Sequence, residues 1–211
     1  DLPQIESVVN ALGTAVAEHL ANGTNPTRTG NRNPIASPHG AFRCQDDPES
    51  VDSPDRWLAI ACRNDAEWAA LCEVFGHAEA AKDARFATFA ARKANEDALE
   101  ALLSDWTRPW KAEAAMDALQ ARGVPAGVVQ TAQDVLERDP HLLAREYYQY
   151  LDHPETGRSA YDILAARFSK TPIFHAAPAP LFGEHTFDVC ERVLGMSMEQ
   201  ITELLAEGIL A

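Results

Sequence analysis

Apolar residues fall along the chain in short blocks whose spacing switches between the helical period and a strand alternation. Ile5, Val8, Val9, Leu12, Val16 and Leu20 recur at three- and four-residue intervals, and Asn22-Gly23 supplies a stop, which predicts a helix over residues 5–21. Thr27 to Cys44 then concentrates prolines, glycines and asparagines ahead of an apolar run. Ala41–Cys44 and Arg56–Cys62 read as two strands of a hairpin, joined by the acidic, turn-rich stretch Gln45–Asp55. Asn64 is placed to cap the next helix, with Glu67 three positions on as its reciprocal partner. The stripe Trp68, Leu71, Cys72 and Phe75 runs up to Gly76.

A further helix is predicted from about Asn95 to Trp106, with Ala98, Leu99, Leu102, Leu103 and Trp106 on one face. Thr107 reads as the cap of a third, which carries Met116 and Leu119 and stops at Gly123. The tryptophans in these stripes read as core residues, not as stacking platforms. Val124–Val129 is a short strand that Pro125 confines to an edge or to its first residues. Tyr147–Leu151 and Tyr161–Phe168 read as strands on either side of the turn His153–Gly157. Beyond the proline-rich bridge 172–180, two helices close the chain. One carries Val189, Cys190, Val193 and Leu194, and the other opens on the capping box Ser197–Gln200 and buries Ile201, Leu204 and Leu205. Helices and short strands mix without βαβ alternation, and no internal repeat is visible, which makes the fold class α+β.

Composition narrows the function. With 46% hydrophobic and 24% charged residues, the 211-residue chain is ordinary for a globular protein with one good core. Lys and Arg number 18 against 32 Asp and Glu, a net charge of -14, which argues against nucleic acid as a partner. No apolar run reaches the roughly 20 residues of a membrane helix, and no signal peptide opens the chain. It starts at Asp1, as a trimmed fragment or processed product would. Four widely spaced cysteines without a Cys-x-x-Cys pair suggest a reduced, cytoplasmic protein. The seven scattered histidines show no zinc-helix spacing, so no metal is expected.

Few residues carry chemistry by themselves. There is no Walker sequence, Gly-x-Ser-x-Gly elbow or Gly-rich phosphate loop. Arg28, Arg32 and Arg43 lie around the opening loop and offer either a phosphate patch or surface pairs with Asp46 and Asp47. Asp46-Asp47 sits in a polar turn, where both carboxylates stay hydrated. Glu184-His185 reads as a proton relay or, more simply, as a helix N-terminus ahead of the cap Thr186.

Taken in order, a set of phrases carries further: Gly30-Asn31 before a Pro-rich loop, Arg56-Trp57 with Ile60-Ala61, Glu67-Trp68 with Leu71-Cys72, and Arg85-Phe86-Ala87. They continue with Gly123-Val-Pro-Ala-Gly127, Asp139-Pro-His-Leu142 with Arg145, and Pro180-Leu-Phe-Gly-Glu-His-Thr186. This order resembles the C-terminal half of the family III CoA-transferases (CaiB/BaiF type). That group includes formyl-CoA and carnitine CoA-transferases and the alpha-methylacyl-CoA racemases. Phe182 stands where the usual family form has a second leucine.

The resemblance implies a small mixed domain of helices and short antiparallel strands at residues 34–165. Residues 1–33 are then a linker helix and connection, and 166–211 a C-terminal return, both belonging to a missing Rossmann-like large domain. It implies coenzyme A as an acyl-CoA substrate, a carboxylic acid as acceptor, and an interlocked homodimer or a complementary N-terminal half as partner. Transfer would pass through an aspartyl-CoA thioester whose aspartate lies outside this chain, leaving the chain alone inactive. Residues 33–39 fall where formyl-CoA transferase carries a glycine run over the catalytic aspartate. Asn33, Pro34, Ser37, Pro38 and His39 are therefore the candidate substrate-lid residues, with Glu184 and His185 as secondary candidates. Two prolines make this version stiffer than a glycine run. Two alternatives stay open: a 2-methylacyl-CoA racemase of the same family, and a non-catalytic partner subunit or interaction module.

Overall fold

The computed structural model describes residues 3–51 and 53–210, which form two compact units, 1–129 and 130–211. Helices mix with short antiparallel strands, as the apolar pattern predicts.

In the first unit the expected opening helix is two helices, α1 (Gln4–Ala11) and α2 (Gly13–Asn22). The helix is interrupted at Leu12, whose ψ of 11° lies outside the helical range, directly before Gly13, and it ends at Gly23 with φ 67°. Neither helix buries a residue.

Strands β1 (His39–Arg43), β2 (Trp57–Ala61) and β3 (Ala126–Val128) make an antiparallel sheet with β2 in the centre. The register pairs Phe42 with Leu58 and Leu58 with Val128. Leu58 and Ile60 are buried and Trp57 and Ala59 exposed, so one face of the sheet points to the core. Pro125 precedes β3, and its carbonyl accepts from Ala61 N at 3.0 Å, a position where a missing N–H costs nothing.

Helix α3 (Asp65–Val74) starts at Asn64, whose Oδ1 accepts the Glu67 amide at 2.9 Å. The expected reciprocal bond is displaced by one residue: the Glu67 carboxylate accepts from the Arg63 amide at 2.7 Å and from its guanidinium at 3.1 Å. After a 3-10 turn at Ala78–Lys82 come α4 (Phe89–Ala94), α5 (Glu96–Thr107) and α6 (Ala112–Gln120). Thr107 does not cap α6. It ends α5, and its hydroxyl donates to Arg43 O at 2.9 Å, tying the helix to β1, while α6 begins after Lys111 with no side-chain cap.

The core gathers Phe42, Leu58 and Ile60 with Trp68, Leu71, Phe86, Leu99, Leu103 and Leu119. Full burial of each Leu, Ile or Phe contributes about 1.5–3 kcal/mol. Trp68 stacks on Trp106 at 6.0 Å between ring centroids and meets Phe86 edge-on at 6.2 Å, so both tryptophans are core residues.

In the second unit a π-helical turn, Asp134–Arg138, precedes α7 (Pro140–Arg145). Asp139 caps α7 by accepting from the amides of His141 and Leu142 at 2.8 and 2.9 Å. Strands β4 (Tyr148–His153) and β5 (Gly157–Asp162) form a hairpin. The second strand begins earlier than Tyr161 and ends before Phe168. The ladder ends where Tyr148, the first residue of β4, pairs with Asp162, and one further bond follows, from the Ile163 amide to Tyr147 O at 3.0 Å. Helix α8 (Thr186–Asp188) runs into a π turn at Val189–Val193, and α9 (Met198–Ala206) opens on the predicted capping box. Ile201 and Cys190 are buried here.

Candidate functional site

The predicted loop lies against the first unit's core, directly before β1. Asn33 folds it back by accepting the Ile35 amide at 2.9 Å and bridging to Ala36. Pro34 and Ile35 are exposed, whereas Ala36, Ser37 and Pro38 are buried. The Ser37 amide donates to Cys62 O at 2.8 Å and Pro38 O accepts from Cys62 N at 2.9 Å, extending the β1–β2 pairing into the loop. The Ser37 Oγ is buried without a hydrogen-bond partner, and His39 turns its Nδ1 to the Asn31 carbonyl.

The sequence reading singled out Arg32 beside this loop but not Arg92 and Lys93, the two cations that bond to its carbonyls. Arg92 on α4 has no exposed surface, and its guanidinium donates to Ser37 O at 2.7 Å, Phe86 O at 3.0 Å and Asp65 Oδ1 at 2.9 Å. Its Cζ lies 5.7 Å from the Trp68 ring centroid. The adjacent Lys93 donates to Asn33 O at 3.0 Å and to Glu96 Oε1 at 2.5 Å. Arg32 grips Glu100 on α5 with two bonds, 2.7 and 2.8 Å, and also reaches Asp97. The Glu100 and Asp97 carboxylates raise the Arg32 pKa above its ordinary value.

The available signal was Thr88, which accepts the Ala91 amide at 3.2 Å, ahead of the helix formers Ala90 to Ala94. Six residues are too few for a period to show.

Arg43 pairs with Asp46 at 2.9 Å and with Asp55, so Arg32 and Arg43 are both engaged by carboxylates and do not converge on an anion. Asp46 is exposed and Asp47 half-buried in its turn, where Asp47 Oδ1 accepts the Glu49 amide at 3.0 Å. In the second unit Glu184 and His185 are both exposed, and Glu184 Oε2 accepts the Leu181 amide at 2.7 Å. His185 occupies the N-cap position that the sequence reading gave to Thr186.

The loop thus offers a fixed backbone with an orphaned hydroxyl, and its neighbouring carboxylates Asp65, Glu96 and Glu100 are each bound to a cation. Nor do the core thiols supply a nucleophile: burial pushes Cys44 up to about 11 and Cys62 and Cys72 up to about 12. Among the described residues no group of three or more His, Cys, Asp or Glu is placed to hold a metal, and no helix is long and apolar enough to cross a membrane. The second unit holds a cleft of about 270 Å³ lined by Arg145, Tyr147, Ile163, Leu164, Phe168 and Ile173.

Comparison with known proteins places the chain. The pattern of CoA-transferase family III matches residues 1–186. A probable CoA-transferase of Mycobacterium tuberculosis is 33% identical over 210 residues, covering 99% of this chain and 25% of its own length. The succinyl-CoA–D-citramalate CoA-transferase of Chloroflexus aurantiacus is 27% identical over 210 residues, 100% of this chain and 50% of its own. A CaiB/BaiF family protein from Brucella suis superimposes with a TM-score of 0.71 at 31% identity, over 87% of this chain and 45% of that one. The chain therefore spans about half the length, or less, of these relatives. By its sequence pattern and its fold alike, this chain belongs to family III of the CoA-transferases.

Proposed function

We propose that this chain is the C-terminal part of an acyl-CoA transferase that moves CoA between carboxylic acids. One observation carries the reading: named CoA-transferases match nearly all of this chain with only about half, or less, of their own length. Relatives named for succinyl-CoA with D-citramalate and for succinate with glutarate support short dicarboxylates as acid substrates.

The reactive carboxylate is an aspartate outside this chain. It attacks the acyl-CoA carbonyl and expels CoA thiolate, leaving a mixed anhydride. The thiolate then attacks the aspartyl carbonyl, releasing the donor acid and forming the aspartyl-CoA thioester. The acceptor carboxylate reverses both steps. Such a thioester survives only where water is excluded, and residues 33–39, with Ser37 and His39, form part of that shield. Residues 34–165 act as the small domain, and 1–33 and 166–211 join it to a large domain in an interlocked dimer. The engaged carboxylates around the loop and the high thiol pKa values support a nucleophile supplied from elsewhere.

CoA exchange from succinyl-CoA to a labelled dicarboxylate is the test. The 211-residue chain alone should show none, and the protein completed by its N-terminal half should show turnover. Turnover by the chain alone would place the nucleophile within it. Acceptor-free proton exchange next to the thioester, in the completed protein, would replace the transferase with the racemase reading.

A further inference from the structure

Residues 33–39 are held from one short helix. Neighbouring residues of α4 reach opposite ends of the loop, Lys93 to the Asn33 carbonyl at 3.0 Å and Arg92 to the Ser37 carbonyl at 2.7 Å. On the sheet side Cys62 takes both the Ser37 amide and the Pro38 carbonyl. Before the loop, Arg32 is anchored to α5.

A loop that swings open at each turnover has exposed backbone bonds and few buried contacts. This one would have to leave a fully buried guanidinium short of one of its three acceptors. Leaving a buried charge short of a partner costs far more than losing a surface pair. Pro34 and Pro38 restrict the backbone further.

We infer that Arg92 and Lys93 are positioning residues that hold residues 33–39 as a fixed wall of the acyl site, not as a moving lid. The inference about the wall's use rests on the proposed function; the clamp itself does not.

Amide hydrogen exchange on the 211-residue chain tests the clamp, comparing wild type with Lys93→Met and Arg92→Lys. The loop amides of Ile35 and Ser37 should exchange about tenfold faster or more in each variant, the effect of losing one charge-assisted bond. The β2 amides should stay unchanged. Lys93 is only partly buried, so Lys93→Met decides the matter if Arg92→Lys fails to fold. Equal loop exchange in variant and wild type, or equal acceleration across the whole unit, would overturn the clamp.

In the protein completed by its N-terminal half, Lys93→Met should raise the share of acyl-CoA lost to hydrolysis relative to transfer several-fold. A loosened loop with an unchanged hydrolysis share would overturn its role as a wall. A completed wild-type protein that transfers no CoA would refute the proposed function instead, while the exchange rates would still decide the clamp.

Discussion

Raising the pH from 8 to 10 should cost this chain far more stability than the titration of surface groups would. Cys44, Cys62 and Cys72 are all inaccessible to solvent. In the unfolded chain each thiol ionises near 9.0, whereas in the folded chain burial holds them at about 11, 12 and 12. A raised folded pKa means that the folded state keeps its protons longer. The stabilisation is therefore full below pH 9, and it is lost as pH climbs through the window from 9 to about 12.

At pH 10 each unfolded thiol is mostly thiolate and each folded one mostly protonated, a difference of about 1.4 kcal/mol per thiol and about 4 kcal/mol for the three. Urea unfolding under reducing conditions at pH 8 and pH 10 measures the loss. Lysines and tyrosines also titrate in this range, so Cys62→Ala serves as the control. Its loss between the two pH values should be about 1.4 kcal/mol smaller than that of wild type. A loss identical in the two proteins would refute the reasoning.

Three substitutions probe the backbone of the first unit. Asn64→Ala removes the acceptor for the Glu67 amide and should lower unfolding free energy by about 1 kcal/mol, read from the urea midpoint at unchanged slope. Gly123 has φ 75° with open space where a Cβ would go, so Gly123→Ala should cost about 1 kcal/mol through the backbone alone. Gly127→Ala, also in open space but without a positive φ, should change stability by less than about 0.5 kcal/mol in the same assay.

The sequence was readable where a pattern repeats within one element. The Trp68–Phe75 stripe, the half-buried β2 and the Ser197 capping box are all where the spacing puts them. It misled where a polar side chain had a competing partner in space. Thr107 looks like a cap, but Arg43 O, 64 positions away, takes its hydroxyl. Glu67 looks like Asn64's reciprocal partner, yet its carboxylate accepts from the Arg63 amide. Helices α4 and α7, six residues each, are shorter than two turns and leave no period to detect.

The candidate loop came into view through family resemblance, since nothing in Asn-Pro-Ile-Ala-Ser-Pro-His itself points to chemistry. Arg92 was invisible because what makes it special is distant: Asp65 is 27 positions away and Ser37 is 55. Read linearly it is one arginine beside a lysine. Only the fold removes it from water.

Helices α1 and α2 contribute no side chain to the interior, and Ile5, Leu12 and Leu20 are each more than half exposed. Segments of 8 and 10 residues hold helical shape poorly on their own in water. Shortening the chain to begin after Gly23 would therefore remove no buried side chain among the described residues of the first unit. A laboratory seeking the smallest self-supporting piece of this protein has its natural starting point at the turn-rich approach to the sheet.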